Sequence, residues 1–288
     1  MNQVGMRILA KVGGAQLEDP RERAELCRSV ALARAAGHEV VLVHGGGNQI
    51  RKLVRALGLD ERYHAGLRVT DAPTADAVAM VLCGLVNKEL VHALQSAGVP
   101  ACGLSGADGG TFHAQKLLVD GIDMGYVGTV ARVDGRLVET LLGNGYVPVI
   151  ATAAPLAAGE SAPADHAYNV NADMATGPLA RALDCDALVF LTDVEGVLDG
   201  NRERIAALTP DRCANLRAGG VVQGGMIPKT DAALAALAEN PGALVKIAPA
   251  DGEDSLLRAL RADTGTRFVD DVDDVLTDAA AGAATEMT

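Results

Sequence analysis

Ile8-Leu9-Ala10-Lys11-Val12-Gly13-Gly14 and Val40-Val41-Leu42-Val43-His44-Gly45-Gly46-Gly47 are two apolar runs, each closed by a glycine cluster and followed by a helical pattern. Four to eight apolar residues bounded by glycine read as a buried strand. A strand, a glycine turn and a helix together form an anion cradle. Glycine lets the backbone approach a phosphate with no Cβ in the way, and the helix N-terminus aims N–H groups at the charge.

Further strands are expected at 100–104, 126–133, 147–151, 187–192 and 244–248, besides 8–10 and 40–44. Helical patterns at 21–36, 74–96, 174–183 and 231–239 separate them. Strands alternating with helices imply a mainly parallel sheet covered on both faces, with ligands at the carboxyl ends of its strands. The stretch 130–138 reads as a hairpin turning at Asp134-Gly135. An Ala/Pro/Gly-rich segment at 153–167 marks a boundary between an amino-terminal lobe (1–160) and a carboxyl-terminal lobe (161–288), and the acidic, Ala-rich tail from about 269 reads as frayed.

At 288 residues, with 49% apolar and 22% charged, the chain is globular. Aromatics are only 2% and Trp is absent, which leaves little for base stacking, and the net charge of −12 opposes nucleic acid and anionic membranes. The five cysteines include no CxxC pair, so neither a disulfide frame nor a zinc site is expected, and the implied compartment is the cytoplasm. No leader and no apolar run of about 20 residues is expected, because the first strand begins near Arg7.

Several residues could carry chemistry, each with a plainer alternative. Lys11, just before Gly13 and Gly14, could reach phosphate oxygens or be a solvated strand-end lysine. Gly45 and Gly46 suggest close approach of a charged ligand, since one glycine would suffice for a turn; His44 reads as structural. Arg68, in a loop where Thr70 or Asp71 would cap the next helix, could pair with a carboxylate or face solvent. Asn169-Val170-Asn171-Ala172-Asp173 precedes a helix; Asp173 could be its cap, or could orient two lysine ammonium groups. Thr192-Asp193, after a continuous apolar strand, could touch a nucleotide or form a turn. Gly224-Gly225 leads to Lys229, a second lysine for phosphate. Two cradles, two separated lysines and one aspartate suggest phosphoryl transfer. P-loop, dinucleotide and serine-hydrolase signatures are absent.

In this order the motifs resemble those of the amino acid kinase family over about residues 7–268, nearest to its branch acting on N-acetyl-L-glutamate in arginine biosynthesis. The matching pieces also include Val86-Asn87-Lys88-Glu89-Leu90, Gly103-Leu104-Ser105-Gly106 and Gly125-Tyr126-Val127-Gly128. The resemblance implies an α/β fold, a three-layer αβα sandwich around one open, mainly parallel sheet. It implies that the amino-terminal lobe binds N-acetyl-L-glutamate and the carboxyl-terminal lobe binds ATP, with Mg²⁺ carried by the phosphates. Carried over, Lys11 and Lys229 neutralise the transferring group and Asp173 organises them. Gly13, Gly14, Gly45 and Gly46 donate N–H groups, and Thr192, Asp193 and Gly225 face ATP. Arg68 grips the substrate α-carboxylate and Asn169 its N-acetyl-amino portion. Cys83-Gly84-Leu85 is similar to a stretch in kinases of glutamate or aminoadipate attached to a carrier protein, whereas Gly66-Leu67-Arg68-Val69-Thr70 favours the free substrate. A non-catalytic nucleotide or amino-acid sensor is the third alternative, opposed by the presence of both lysines and Asp173. Arginine-inhibited relatives carry an extra helix before the first strand. Only Met1–Met6 stand there, so a homodimer joined through amino-terminal-lobe surfaces, without arginine feedback at that position, is expected.

Overall fold

The computed structural model describes residues 5–271, so most of Met1–Met6 and of the tail from about 269, to which the assembly and fraying expectations refer, lies outside the described residues. The strands are β1 (Arg7–Val12), β2 (Glu39–His44), β3 (Tyr63–His64), β4 (Leu67–Arg68), β5 (Ala101–Leu104), β6 (Phe112–Val119), β7 (Ile122–Val133), β8 (Val147–Ala151), β9 (Ala153–Ala154), β10 (Tyr168–Val170), β11 (Ala187–Thr192), β12 (Ala207–Leu208), β13 (Leu244–Pro249) and β14 (Thr266–Phe268). The helices are α1 (Ala15–Glu18), α2 (Pro20–Ala35), α3 (Gly47–Ala56), α4 (Ala72–Ala79), α5 (Asn87–Ser96), α6 (Arg136–Gly143), α7 (Ala172–Ala182), α8 (Pro210–Ala218), α9 (Met226–Glu239) and α10 (Ser255–Ala259).

Eight strands form the expected large sheet, in the order β12-β14-β13-β11-β1-β2-β8-β5, and only β13–β14 pairs antiparallel. Strand side chains alternate between faces. On β1, Leu9 joins one apolar cluster with Val43, Ile150, Phe190 and the helices α6, α7 and α9. Ile8, Ala10 and Val12 join the other, against α2, α3 and α4–α5. Burial on both faces is why these strands read as unbroken apolar runs. Each fully buried Leu, Ile or Val contributes about 1.5–3 kcal/mol.

Two features depart from expectation. Residues 126–133 belong to β7 of a second, four-stranded sheet, β6-β7-β10-β9, rather than to the large one. The Asp134-Gly135 pair does not turn a hairpin. Gly135 lies at φ −72° before α6, and Asp134 Oδ1 accepts the Arg136 N–H. The true hairpin joins β6 to β7 through Asp120-Gly121, both at positive φ (51° and 75°). Both Asp-Gly pairs carry the turn chemistry, but Leu137, Val138, Leu141 and Leu142 follow the second at helical spacing.

The run Ala72–Ser96 is one helix of 25 residues, with a π-helical segment at Met80–Val86. With a mean hydropathy of 1.5 it is long and apolar enough to cross a membrane by length and composition, which the sequence reading did not foresee. Its inner face (Val78, Leu82, Val86, Leu90) packs in the core.

The second sheet is locked to the segment ahead of α4 by close backbone contact. Thr70 N donates to Met124 O at 2.9 Å, and Tyr126 N donates to Thr70 O at 2.7 Å. Gly125 between them has φ +75°, and a Cβ there would lie 2.2 Å from the Thr70 carbonyl oxygen. Gly125→Ala is therefore expected to lower unfolding free energy by about 2–3 kcal/mol or more. Denaturant unfolding of the variant checks this.

Candidate active site

The large sheet divides at β1: β2 continues it to one side and β11 to the other. Such a switch point opens a crevice at the carboxyl ends of the strands. Register places Val12 beside His44 and Lys11 beside Phe190. The Gly13-Gly14 turn, the Gly45–Gly47 turn and Thr192-Asp193 therefore leave the sheet side by side.

Lys11 is 6% exposed and its Nζ lies 2.8 Å from Asp173 Oδ1. Asp173 is in the first turn of α7, yet it does not cap the helix. Asn171 does so, accepting the N–H groups of Asp173 (2.9 Å) and Met174 (3.2 Å). With its own N–H thus satisfied through Asn171, the Asp173 carboxylate is left to the lysine. Lys229, in the first turn of α9, completes the group. Burial, then the charge of Lys11, pushes its ammonium below the usual lysine range, while Asp173 and Asp193 pull the other way. Asp173 thus faces both lysines, and Asp193 acts on Lys229 as well. Gly13 lies against this group, its Cβ position 3.3 Å from Lys11 Nζ. Gly14 takes φ +56°, with open space at its Cβ position. Gly225 precedes α9 with no side-chain cap, and Thr192 Oγ1 donates to Asp193 Oδ1 at 3.1 Å.

Beside the lysines is a cavity of about 230 Å³ lined by Gly45, Gly46, Arg68, Thr152, Asn169 and Asn171, among others. Lys11, Asp173 and Lys229 do not line it, but Asn171 and Ala172 do and lead directly into Asp173. Arg68 was expected in a loop. It lies instead on β4, paired with Tyr63 through a two-residue hairpin whose Ala65 and Gly66 both have positive φ (45° and 78°). Its guanidinium stacks 4.7 Å from the Tyr63 ring centroid, and Nη1 stands 3.6 Å from Glu61 Oε1. Arg68 is 7% exposed; its Nη2 donates to Tyr63 Oη and to Gly47 O, and Nη1 faces Glu61 without a hydrogen bond. Asp71, not Thr70, caps α4. Thr70 Oγ1 instead donates to Arg68 O at 2.8 Å and accepts Asn169 Nδ2 at 3.3 Å, tying two cavity residues together.

The glycines of the second cradle differ in purpose. A Cβ on Gly46 would meet Leu82 Cδ2 at 2.9 Å and Val86 Cγ2 at 3.2 Å, so packing also favours glycine there, against the reading that these glycines serve only a ligand. Gly45 and Gly47 have room for a Cβ. His44 is structural, as expected: it is fully buried, and desolvation lowers its pKa to about 4.

Sequence reasoning did not single out Thr70, Tyr63 or Asn87 as site residues. Thr70 and Asn87 stand inside motifs but act through contacts distant in sequence. Among the described residues no group of three or more His, Cys, Asp or Glu could hold a metal ion.

The profile of the amino acid kinase family matches residues 6–246. An acetylglutamate kinase of Rhizorhabdus wittichii is 42% identical over 237 residues, 79% of this chain and 77% of that protein. One of Methanopyrus kandleri is 47% identical over 230 residues, 77% and 87% respectively. Among solved structures, smu.665 of Streptococcus mutans UA159 superposes with a TM-score of 0.74 at 29% identity, covering 92% of this chain and 99% of that one.

Two outcomes follow from this geometry. Asn171→Ala should cost about 1 kcal/mol of stability through loss of the cap. It should also lower turnover, as the freed N–H groups of α7 compete with Lys11 for Asp173; melting curves and kcat measure the two effects. His44 supplies a pH dependence. Its folded pKa of about 4 lies below the unfolded value near 6.5, so between these the unfolded chain binds a proton that the folded one refuses. Stability should fall as pH drops from 6.5 to 4, by up to about 3 kcal/mol from this group. His44→Asn should flatten that slope in unfolding curves taken across this range.

Proposed function

The chain belongs to the amino acid kinase family, and we propose that it transfers the γ-phosphoryl group of ATP to the γ-carboxylate of N-acetyl-L-glutamate, giving an acyl phosphate for arginine biosynthesis. One observation supports the reading most: the paired Lys11 and Asp173, with Lys229 at hand, adjoin a cavity lined by the buried Arg68 and by Asn169.

The attacking carboxylate is ionised at neutral pH and needs no general base. The work left to the protein is positioning and charge stabilisation along an in-line transfer. Arg68 holds the α-carboxylate and Asn169 the acetamido group, which leaves the γ-carboxylate directed at the lysines. Lys11 and Lys229 neutralise the transferring oxygens, and Asp173 holds Lys11 between turnovers. N–H groups of Gly13, Gly14, Gly45 and Gly46 complete the cradle. ATP lies over the half of the sheet built from β11 and β13, near Thr192, Asp193 and Gly225. The acetylated substrate lies over the half built from β1, β2, β8 and β5, so the lobes meet near residue 160. Mg²⁺ binds through few protein carboxylates and keeps several waters, which suits an ion that arrives on the phosphates. A cytoplasmic homodimer fits this reading. Met80 and Leu85, 63% and 50% exposed on the long helix of the first half, offer apolar surface for an isologous contact.

A coupled assay with free N-acetyl-L-glutamate, run beside carrier-bound glutamate, tests the substrate. Lys11→Ala and Lys229→Ala should each lower kcat by about 10²-fold or more, with smaller effects on KM. Near-normal turnover in either folded variant would remove that lysine from the mechanism. Arg68→Lys keeps the charge but loses the planar fork, so KM for the amino acid should rise more than KM for ATP. Equal changes would detach Arg68 from the carboxylate.

A further inference from the structure

Beneath the second glycine cradle runs a chain of buried polar groups that the reaction does not use directly. Asn87 is fully buried at the start of α5, where the π-helical segment ends. Its Nδ2 donates to Val149 O at 2.9 Å and lies 3.0 Å from His44 Nε2. Its Oδ1 accepts from Lys88 Nζ at 3.0 Å. A carbonyl on one side and an ammonium on the other allow the amide only this orientation. Nδ2 is a donor alone, so His44 Nε2 must accept. The imidazole proton therefore sits on Nδ1, 2.9 Å from Gly45 O, to which it donates. Burial, which keeps the ring neutral, agrees with this tautomer.

We propose that Asn87 and His44 are positioning residues that fix the Gly45–Gly46 peptide, so that the Gly46 N–H faces the phosphoryl-transfer site. The peptide is planar and trans, so its N–H points opposite to its carbonyl. With Gly45 O held by the buried ring, the Gly46 N–H is turned to the open side, where Gly45 and Gly46 line the cavity. Among the described residues no backbone carbonyl takes that N–H. Gly46 also precedes α3 without a side-chain cap, so the helix adds partial positive charge there. A histidine in the other tautomer would set a lone pair against Gly45 O and favour a flipped peptide, whose carbonyl would face the incoming phosphate. The inference rests on the phosphoryl-transfer reading above, in which this N–H is a donor to the reacting oxygens.

The test has a readout independent of substrate. In protein carrying ¹⁵N-histidine, with His44 assigned by difference from His44→Asn, the expected spectrum has protonated Nδ1 and bare Nε2. Asn87→Leu should lose that fixed tautomer. The Gly46 amide resonance should shift on adding magnesium ATP, and the shift should vanish in His44→Leu. In the coupled assay His44→Leu should lose about 10²-fold in kcat, with KM for both substrates nearly unchanged. His44→Asn, whose Nδ2 can replace Nδ1 as donor to Gly45 O, should recover tenfold or more of that loss. A protonated Nε2 in the wild-type protein overturns the proposal, as does normal kcat in folded His44→Leu or equal loss in His44→Leu and His44→Asn. Should His44→Leu not fold, the wild-type tautomer and the Asn87→Leu spectrum and kcat decide. Wild-type protein inactive on N-acetyl-L-glutamate overturns the substrate reading alone. The tautomer and the Gly46 shift with magnesium ATP then judge the positioning pair by themselves.

Discussion

Lys11 Nζ lies 2.8 Å from Asp173 Oδ1, where the two side chains keep only 8% and 15% of their exposure. Taking two charges out of water costs several kcal/mol each unless they meet with good geometry. Two lysines brought together without a carboxylate would cost more still. Asp173 offsets this, and the lowered affinity of Lys229 for its proton reflects its burial first and the charge of Lys11 second. Asp173 thus holds the lysine pair ready for the phosphate oxygens of the proposed transfer.

The large sheet does most of the placing. β1 is flanked by β2 and β11, so the turns that leave these three strands share one crevice, although they are separated by up to 180 residues of chain. Lys11 occupies the same face of β1 as Leu9, the face covered by α7 and α9. A shift of one residue in β1 would send its ammonium to the opposite face, among α2 and α3. The period-2 apolar pattern that builds the core therefore also fixes the face on which Lys11 meets Asp173. α7 then needs a cap other than Asp173, and Asn171 provides it.

Much of this was legible in the sequence because the signals are local. Apolar runs closed by glycine announced β1, β2 and the cradles, and the order of short motifs announced the family. What escaped reading depends on partners remote in the chain. Thr70 reads as a helix cap until Asn169, Met124 and Tyr126 are folded against it. Asn87 reads as a polar residue on an apolar helix until His44 and Val149 surround it. The second sheet was missed because its β7–β10 pairing joins distant segments, and β10 is only three residues long. Asp134-Gly135 misled for the opposite reason: local turn chemistry was right, but the helical period downstream outranked it.

The glycines show why motif and mechanism need not coincide residue by residue. In His44-Gly45-Gly46-Gly47 the middle glycine is favoured by packing, because a Cβ would crowd the Leu82 and Val86 side chains of the π-helical segment. Its neighbours have room for a side chain and take no positive φ, so neither packing nor backbone strain requires glycine at Gly45 or Gly47. In the proposed transfer, bare backbone at Gly45 lets a charged group come within hydrogen-bond reach of the N–H groups. One cluster thus meets a packing constraint from below and a ligand constraint from above. The buried His44 ring, bonded to the Gly45 carbonyl, lies where the two constraints meet.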